Sequence, residues 1–179
     1  MSNHLHLVVT PRRPEALALT LRHTHGRDAA YLNARQAATG HVWQGRYYSC
    51  PLDTDHLWAA LRYAELNPVC ARLLAHAELY RWSSAAVHCG RSAAALPLRV
   101  ETAAWSEVWN PQSWRKFLLG VDAEADAESL RLNTHTGRPL GSPEFVHSLE
   151  RSLHRILSPQ TGGRPRKVGP EPAQSAFSF

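Results

Sequence analysis

The sequence predicts an α+β fold, and three observations lead to it. Asn3-His4-Leu5-His6-Leu7-Val8-Val9 is a short apolar run rich in β-formers, and His41-Val42-Trp43-Gln44-Gly45-Arg46-Tyr47-Tyr48-Ser49-Cys50 is a second, richer in aromatics. Between and beyond these two candidate strands lie stretches whose apolar residues recur at helical spacing.

At 179 residues the chain is long enough for one domain with a real core plus an appendage, and 44% hydrophobic residues with six Trp argue for a packed protein. No apolar run approaches the roughly 18 residues that a membrane span needs, and Met1-Ser2-Asn3-His4 lacks the basic and apolar regions of a secretory signal. A cytoplasmic protein with no membrane partner is therefore expected. Lys+Arg exceeds Asp+Glu by 20 to 15, a net +5. Nearly all of that positive charge is arginine, whose planar fork suits phosphates and base edges. Cys50, Cys70 and Cys89 are odd in number and widely spaced, so they read as reduced, mostly buried thiols.

In chain order, Thr10 to Pro14 breaks the first strand, and Glu15 opens a helix with Leu17, Leu21, Thr24, Ala29 and Leu32 as its apolar stripe, weakened at Gly26 and stopped near Gly40. After the second strand, Pro51 and Asp53 mark a turn and a long helix follows, capped by Thr54 or Asp55, with Leu57, Leu61, Ala64 and Leu66 toward the core. Pro68 should kink or end it, and Val69 to Ala77 reads as another short helical piece. Tyr80-Arg81-Trp82-Ser83-Ser84 closes the first unit with aromatics to pack and serines to cap. Beyond about Gly90 come one or two helices between Trp105 and Leu119, then an acidic separator, Asp122 to Glu128. A final helix runs from Ser142-Pro143-Glu144 to Leu157, with Phe145, Leu149, Leu153 and Ile156 as its stripe. The expected organisation is a domain at 1–90, a helical DNA-binding extension at 91–160 and a disordered basic tail at 161–179.

Chemistry is concentrated in two places. On a strand, His4 and His6 would project to the same face about 6–7 Å apart, offering two imidazoles to a divalent cation. On the helix, Asn67 stands at i+4 from Tyr63, so a phenol and an amide share one face. A metal near a phosphate with a tyrosine oxygen beside it suits nucleophilic attack on a phosphodiester. By itself the pair of histidines reads first as surface decoration, and Tyr63 first as a packed core tyrosine.

The segments Asn3-His4-Leu5-His6-Leu7 with Thr10-Pro11, Trp43 to Tyr48, Leu61 to Val69 and Tyr80 to Ser84 occur in an order and spacing that resemble the REP-associated branch of the His-hydrophobic-His (HUH) single-tyrosine transposases. The resemblance implies an incomplete ferredoxin-like sheet, because the strand-helix-strand that usually precedes the His-x-His strand is missing and the chain looks truncated at its start. It implies that Tyr63 attacks single-stranded or hairpin DNA to form a reversible 5′-phosphotyrosine link, and that His4 and His6, with Asn67 as third ligand, hold Mg²⁺ or Mn²⁺.

Arg46 reads equally as a phosphate contact and as a solvated arginine, with Tyr47 beside it as a stacking or core residue. Gly137-Arg138-Pro139 and Gly163-Arg164-Pro165-Arg166-Lys167 resemble minor-groove hooks, in which Arg138, Arg164, Arg166 and Lys167 would touch DNA; a solvated basic tail is the other reading. Set against a transposase-type nuclease and strand transferase are a non-catalytic DNA-binding remnant of one and a degraded product that does not fold alone.

Overall fold

The computed structural model describes residues 4–91, 100–120 and 123–159. Its described helices are α1 (Ala16–Gln36), α2 (Thr54–Cys70), α3 (Ala85–His88), α4 (Ala103–Val108), α5 (Pro111–Leu118), α6 (Ala123–Thr136) and α7 (Pro143–Leu153), with a 3₁₀ turn at Ala77–Leu79.

The α+β expectation, and the incomplete ferredoxin-like sheet with it, is overturned. Among the described residues there is no strand; the one approach to pairing is a parallel bridge between Leu52 and Leu140. A strand exists only where a neighbour takes up its backbone groups, and β-propensity largely measures how well side chains pack on such a neighbour. The 4–9 run forms no strand, and Leu5, Leu7 and Val9 are about half exposed. The 41–50 run is broken by bends, and its Trp43 stacks on His25 of α1 with ring centroids 3.9 Å apart.

Helix α1 runs unbroken through Gly26 and ends at Ala37, whose φ of 49° turns the chain before Gly40. Leu17, Leu21, Ala29 and Leu32 are half-buried and the predicted Thr24 is exposed, so α1 lies at the margin of the packing. The central helix is α2. Asp53 caps it rather than Thr54 or Asp55: its carboxylate accepts from the His56 amide (2.9 Å) and the Ser142 amide (2.8 Å). One side chain thus starts α2 and anchors the entry to α7. Burial pushes the Asp53 carboxyl up, but hydrogen bonds from His56 and Ser142 outweigh it and leave it below the usual range.

Pro68 lies inside the last turn of α2, which ends two residues later. The short helix expected from Val69 is replaced by turns and the 3₁₀ segment. The supposed acidic separator at 122–128 instead falls largely within α6, where Glu124 and Asp126 in the first turn oppose the helix's positive end. Helix α5 is opened by a reciprocal cap between Asn110 and Ser113, and α7 by Ser142 with Pro143 at its first position. Helix α7 stops at Leu153, earlier than expected, because His154 enters the left-handed region at φ 49°. Leu153 and Ile156 are consequently exposed.

The core gathers Ala77, Ala85 and Cys89 with Trp105, Trp114 and Leu118, so it draws on both sides of position 90. Trp58, Leu61, Leu66, Val69, Trp109 and Phe117 pack around it. Helix α2 lies against both α5 and α6. Of the three cysteines only Cys89 is fully buried; Cys50 is intermediate and Cys70 exposed, against the expectation that most would be hidden.

Candidate active site on the outer face of α2

Successive residues on an α-helix are turned by about 100°, so Glu65 stands about 200° from both Tyr63 and Asn67, on the opposite face. The inner face is pinned. Glu65, 1% exposed, accepts from Ser84 Oγ (2.6 Å) and the Trp114 indole N–H (2.9 Å), and lies 2.6 Å from His88 Nδ1. The His88 ring is itself clamped between Trp105 and Trp114. Beside it, buried Arg62 pairs with Asp126 (2.5 Å), donates to the Phe117 carbonyl and lies over the Phe117 ring. These contacts set the rotation of α2, and the outer face follows from it.

On that outer face His4, His6, Tyr63 and Asn67 come together. The His4 and His6 ring centroids are 5.0 Å apart, edge to face, and those of His6 and Tyr63 are 5.1 Å apart. His6 Nε2 lies 2.9 Å from Asn67 Nδ2, a contact between residues 61 positions apart. As a residue His6 is surface-exposed, but its ring is tucked against α2. Partial burial, and then the neighbouring His4, lower its pKa below 6.5, which favours the neutral imidazole that a metal binds.

The donor set of two imidazoles and an amide suits a first-row divalent cation, and Mn²⁺ better than Mg²⁺ because two donors are nitrogen. The amide group of Asn67 points its nitrogen at His6, so a cation here would replace that hydrogen bond and take the amide oxygen instead. Among the described residues no group of three or more His, Cys, Asp or Glu side chains is placed to hold a metal; Asn67 stands outside that set of residue types.

The other predicted residues lie elsewhere. Arg46 is exposed on the bent segment after α1, and Tyr47 is 41% exposed beside it. Neighbouring Tyr48 tilts against His135 of α6. Arg138 follows α6, its amide donating to the Asn133 carbonyl (3.0 Å), and it lines a cavity of about 260 Å³ together with His147 and Val146 of α7. Arg164, Arg166 and Lys167 fall outside the described residues.

Sequence reading missed Arg131. From α6 its guanidinium reaches over the Tyr63 ring, 5.5 Å from the centroid, while pairing with Glu124 at 3.0 Å. Hydrogen bonding, first to Glu124 and then to Tyr63, raises the Arg131 pKa above its usual value. No periodicity in the α6 sequence announces this, since it depends on α6 crossing α2. Glu65 was likewise hidden, as one acidic residue within a helix otherwise read for its apolar stripe.

Compared with family models, with curated proteins and with solved structures, the chain matches none.

Proposed function

We propose that this chain is a transposase-type DNA endonuclease and strand transferase of the single-tyrosine HUH kind, acting on single-stranded or hairpin DNA. The observation that supports it is the meeting of His4 and His6 with Tyr63 and Asn67, two groups distant in sequence that the four ordered motifs single out together. The Tyr63 oxygen attacks the phosphorus of a phosphodiester, and the bond from phosphorus to the 3′ oxygen breaks. The phenol proton passes to water or base, and the departing 3′ oxygen takes up a proton. The products are a 5′-phosphotyrosine and a free 3′-hydroxyl, and reversal with another 3′-hydroxyl rejoins strands. Because the covalent link conserves the energy of the broken bond, no nucleotide cofactor is required.

His4, His6 and Asn67 would hold Mg²⁺ or Mn²⁺, whose chemistry there is polarisation of the scissile phosphate. His6, kept neutral by burial, is ready to donate a lone pair once its contact with Asn67 opens. Tyr63 is fixed by the helix whose other face Glu65 ties to the core. Arg46, Tyr47 and Arg138, with Arg164, Arg166 and Lys167 in the tail, extend the DNA contacts beyond the phosphate at Tyr63.

A second reading, DNA binding without cleavage, is favoured by the exposure of Leu5, Leu7 and Val9, each about half in solvent on the segment that carries both histidines. Incubation of the protein with labelled hairpin DNA and Mn²⁺ separates the two. Cleavage that chelator abolishes supports the nuclease; salt-sensitive binding without cleavage, indifferent to chelator and to His4→Ala, supports the second. Among the described residues no helix is long and apolar enough to cross a membrane.

A further inference from the structure

Two arginines line the small cleft that opens beside Tyr63 and Asn67, Arg62 and Arg131, and they differ in commitment. Arg62 is 3% exposed, and its guanidinium is taken up by Asp126, the Phe117 carbonyl and the Phe117 ring. It is a strut between α2, α5 and α6. Arg131 has half of its side chain in solvent and lies over the phenol ring, and its carboxylate partner, Glu124, sits seven residues earlier on the same helix with 82% of its side chain exposed. An exposed pair of this kind is weak in water and screened by salt, so an incoming anion exchanges with Glu124 at little cost. A phosphodiester offers the guanidinium fork the same pair of oxygens that a carboxylate does.

We propose that Arg131 is a further catalytic residue of the Tyr63 site, which binds the non-bridging oxygens of the phosphate presented to Tyr63, and that Glu124 holds its place until DNA arrives. This rests on the nuclease reading for its catalytic meaning; the phosphate contact itself is separately measurable. The geometry places one positive fork above the nucleophile's ring and beside Asn67, where charge on a phosphate under attack would develop. The residue belongs to α6, so the stretch of chain after position 122 completes the site built on α2.

The test measures binding of a fluorescein-labelled single-stranded oligonucleotide by anisotropy, in a Tyr63→Phe background so that no covalent product forms. Adding Arg131→Ala is expected to weaken binding about tenfold and to reduce the salt slope by about 0.7, the value for one lost phosphate contact on a single strand. Arg131→Lys should recover part of that loss. Glu124→Gln should tighten binding several-fold when Arg131 is present and not at all when it is Ala, a coupling that a purely structural arginine would not produce. Unchanged affinity and salt slope in Arg131→Ala, or a gain from Glu124→Gln that persists without Arg131, overturns the inference. A parallel incubation with Tyr63 intact reads covalent adduct on a denaturing gel. No adduct there, with the Arg131 coupling present, would remove the nuclease reading and keep the phosphate contact; adduct without the coupling would do the reverse.

Discussion

The indole N–H of Trp114 donates to Glu65 Oε2 over 2.9 Å, and through that bond a helix beyond position 110 fixes the rotation of the helix that bears Tyr63. Trp114 is 0% exposed and Glu65 1%, so the bond is out of reach of water. Replacing Glu65 by Ala leaves the His88 ring and the Trp114 indole without their acceptor in a dry core, and removes the acceptor of the half-buried Ser84 hydroxyl. A loss of about 3 kcal/mol or more in folding stability is expected, read as a lowered midpoint in chemical denaturation. A change below about 0.5 kcal/mol would show that these groups find other partners.

The His4 and His6 pair predicts a selective response to metal. Substoichiometric Mn²⁺ should broaden the ring proton resonances of His4 and His6 ahead of those of the other nine histidines (eleven in all). Chelator should restore the signals, and His6→Ala should abolish the preference. Uniform broadening of all histidines would contradict a site.

His6 also predicts a pH dependence. Its folded pKa lies below 6.5, so the docked segment binds fewer protons than the unfolded chain. The stability this gives is fully present above pH 6.5 and is lost as pH falls through the lower, folded value. Contacts between the His6 and Tyr63 rings, followed by nuclear Overhauser effects, should therefore persist at pH 7.5 and fade on acidification; contacts that are constant across that range would contradict the dependence.

The turn after α7 is governed by Glu150, whose Oε1 accepts from the Leu157 and Ser158 amides and the Ser158 hydroxyl. Hydrogen bonds from Ser158, then from Leu157, lower its pKa from 4.5 to about 2. The contribution is complete above pH 4.5 and is lost as pH falls through about 2. The protection of the Leu157 and Ser158 amides against exchange, taken relative to the unstructured rate at each pH, should fall over that window, and Glu150→Ala should remove it at every pH.

Thiol reactivity separates the cysteines. Cys70 is exposed, whereas Cys89 is 0% exposed and burial, with Glu78 and Glu65 adding to it, pushes its thiol up to about 11. Iodoacetamide at pH 8 should alkylate Cys70 in the native protein and reach Cys89 only after unfolding, as peptide mass spectrometry would show.

Local signals made several of the helices legible, though not α6, whose acidic start was read as a separator. The turn at Pro51 to Asp53, the Ser142-Pro143 opening and the Trp-bearing segment each announced an element that is present, because caps and apolar periodicity act within a few residues. That Tyr63 and Asn67 share one face of α2 was legible for the same reason, as a one-turn spacing. The two strands were misread because β-prone composition at 4–9 and 41–50 says nothing about whether a neighbouring strand exists, and Trp43 found its partner in a helix. Arg131 and Glu65 were illegible because their roles arise where α2 meets α5 and α6, contacts between residues tens of positions apart.

The most direct measurement is the site of covalent attachment. The protein is incubated with single-stranded or hairpin DNA and Mn²⁺, digested with protease and nuclease, and the residual nucleotide is located by tandem mass spectrometry. A 5′-phosphonucleotide on Tyr63, absent in Tyr63→Phe and in samples treated with chelator, is the expected result. An adduct on Tyr31, Tyr47 or Tyr48, or one that survives Tyr63→Phe, would contradict the assignment of the nucleophile.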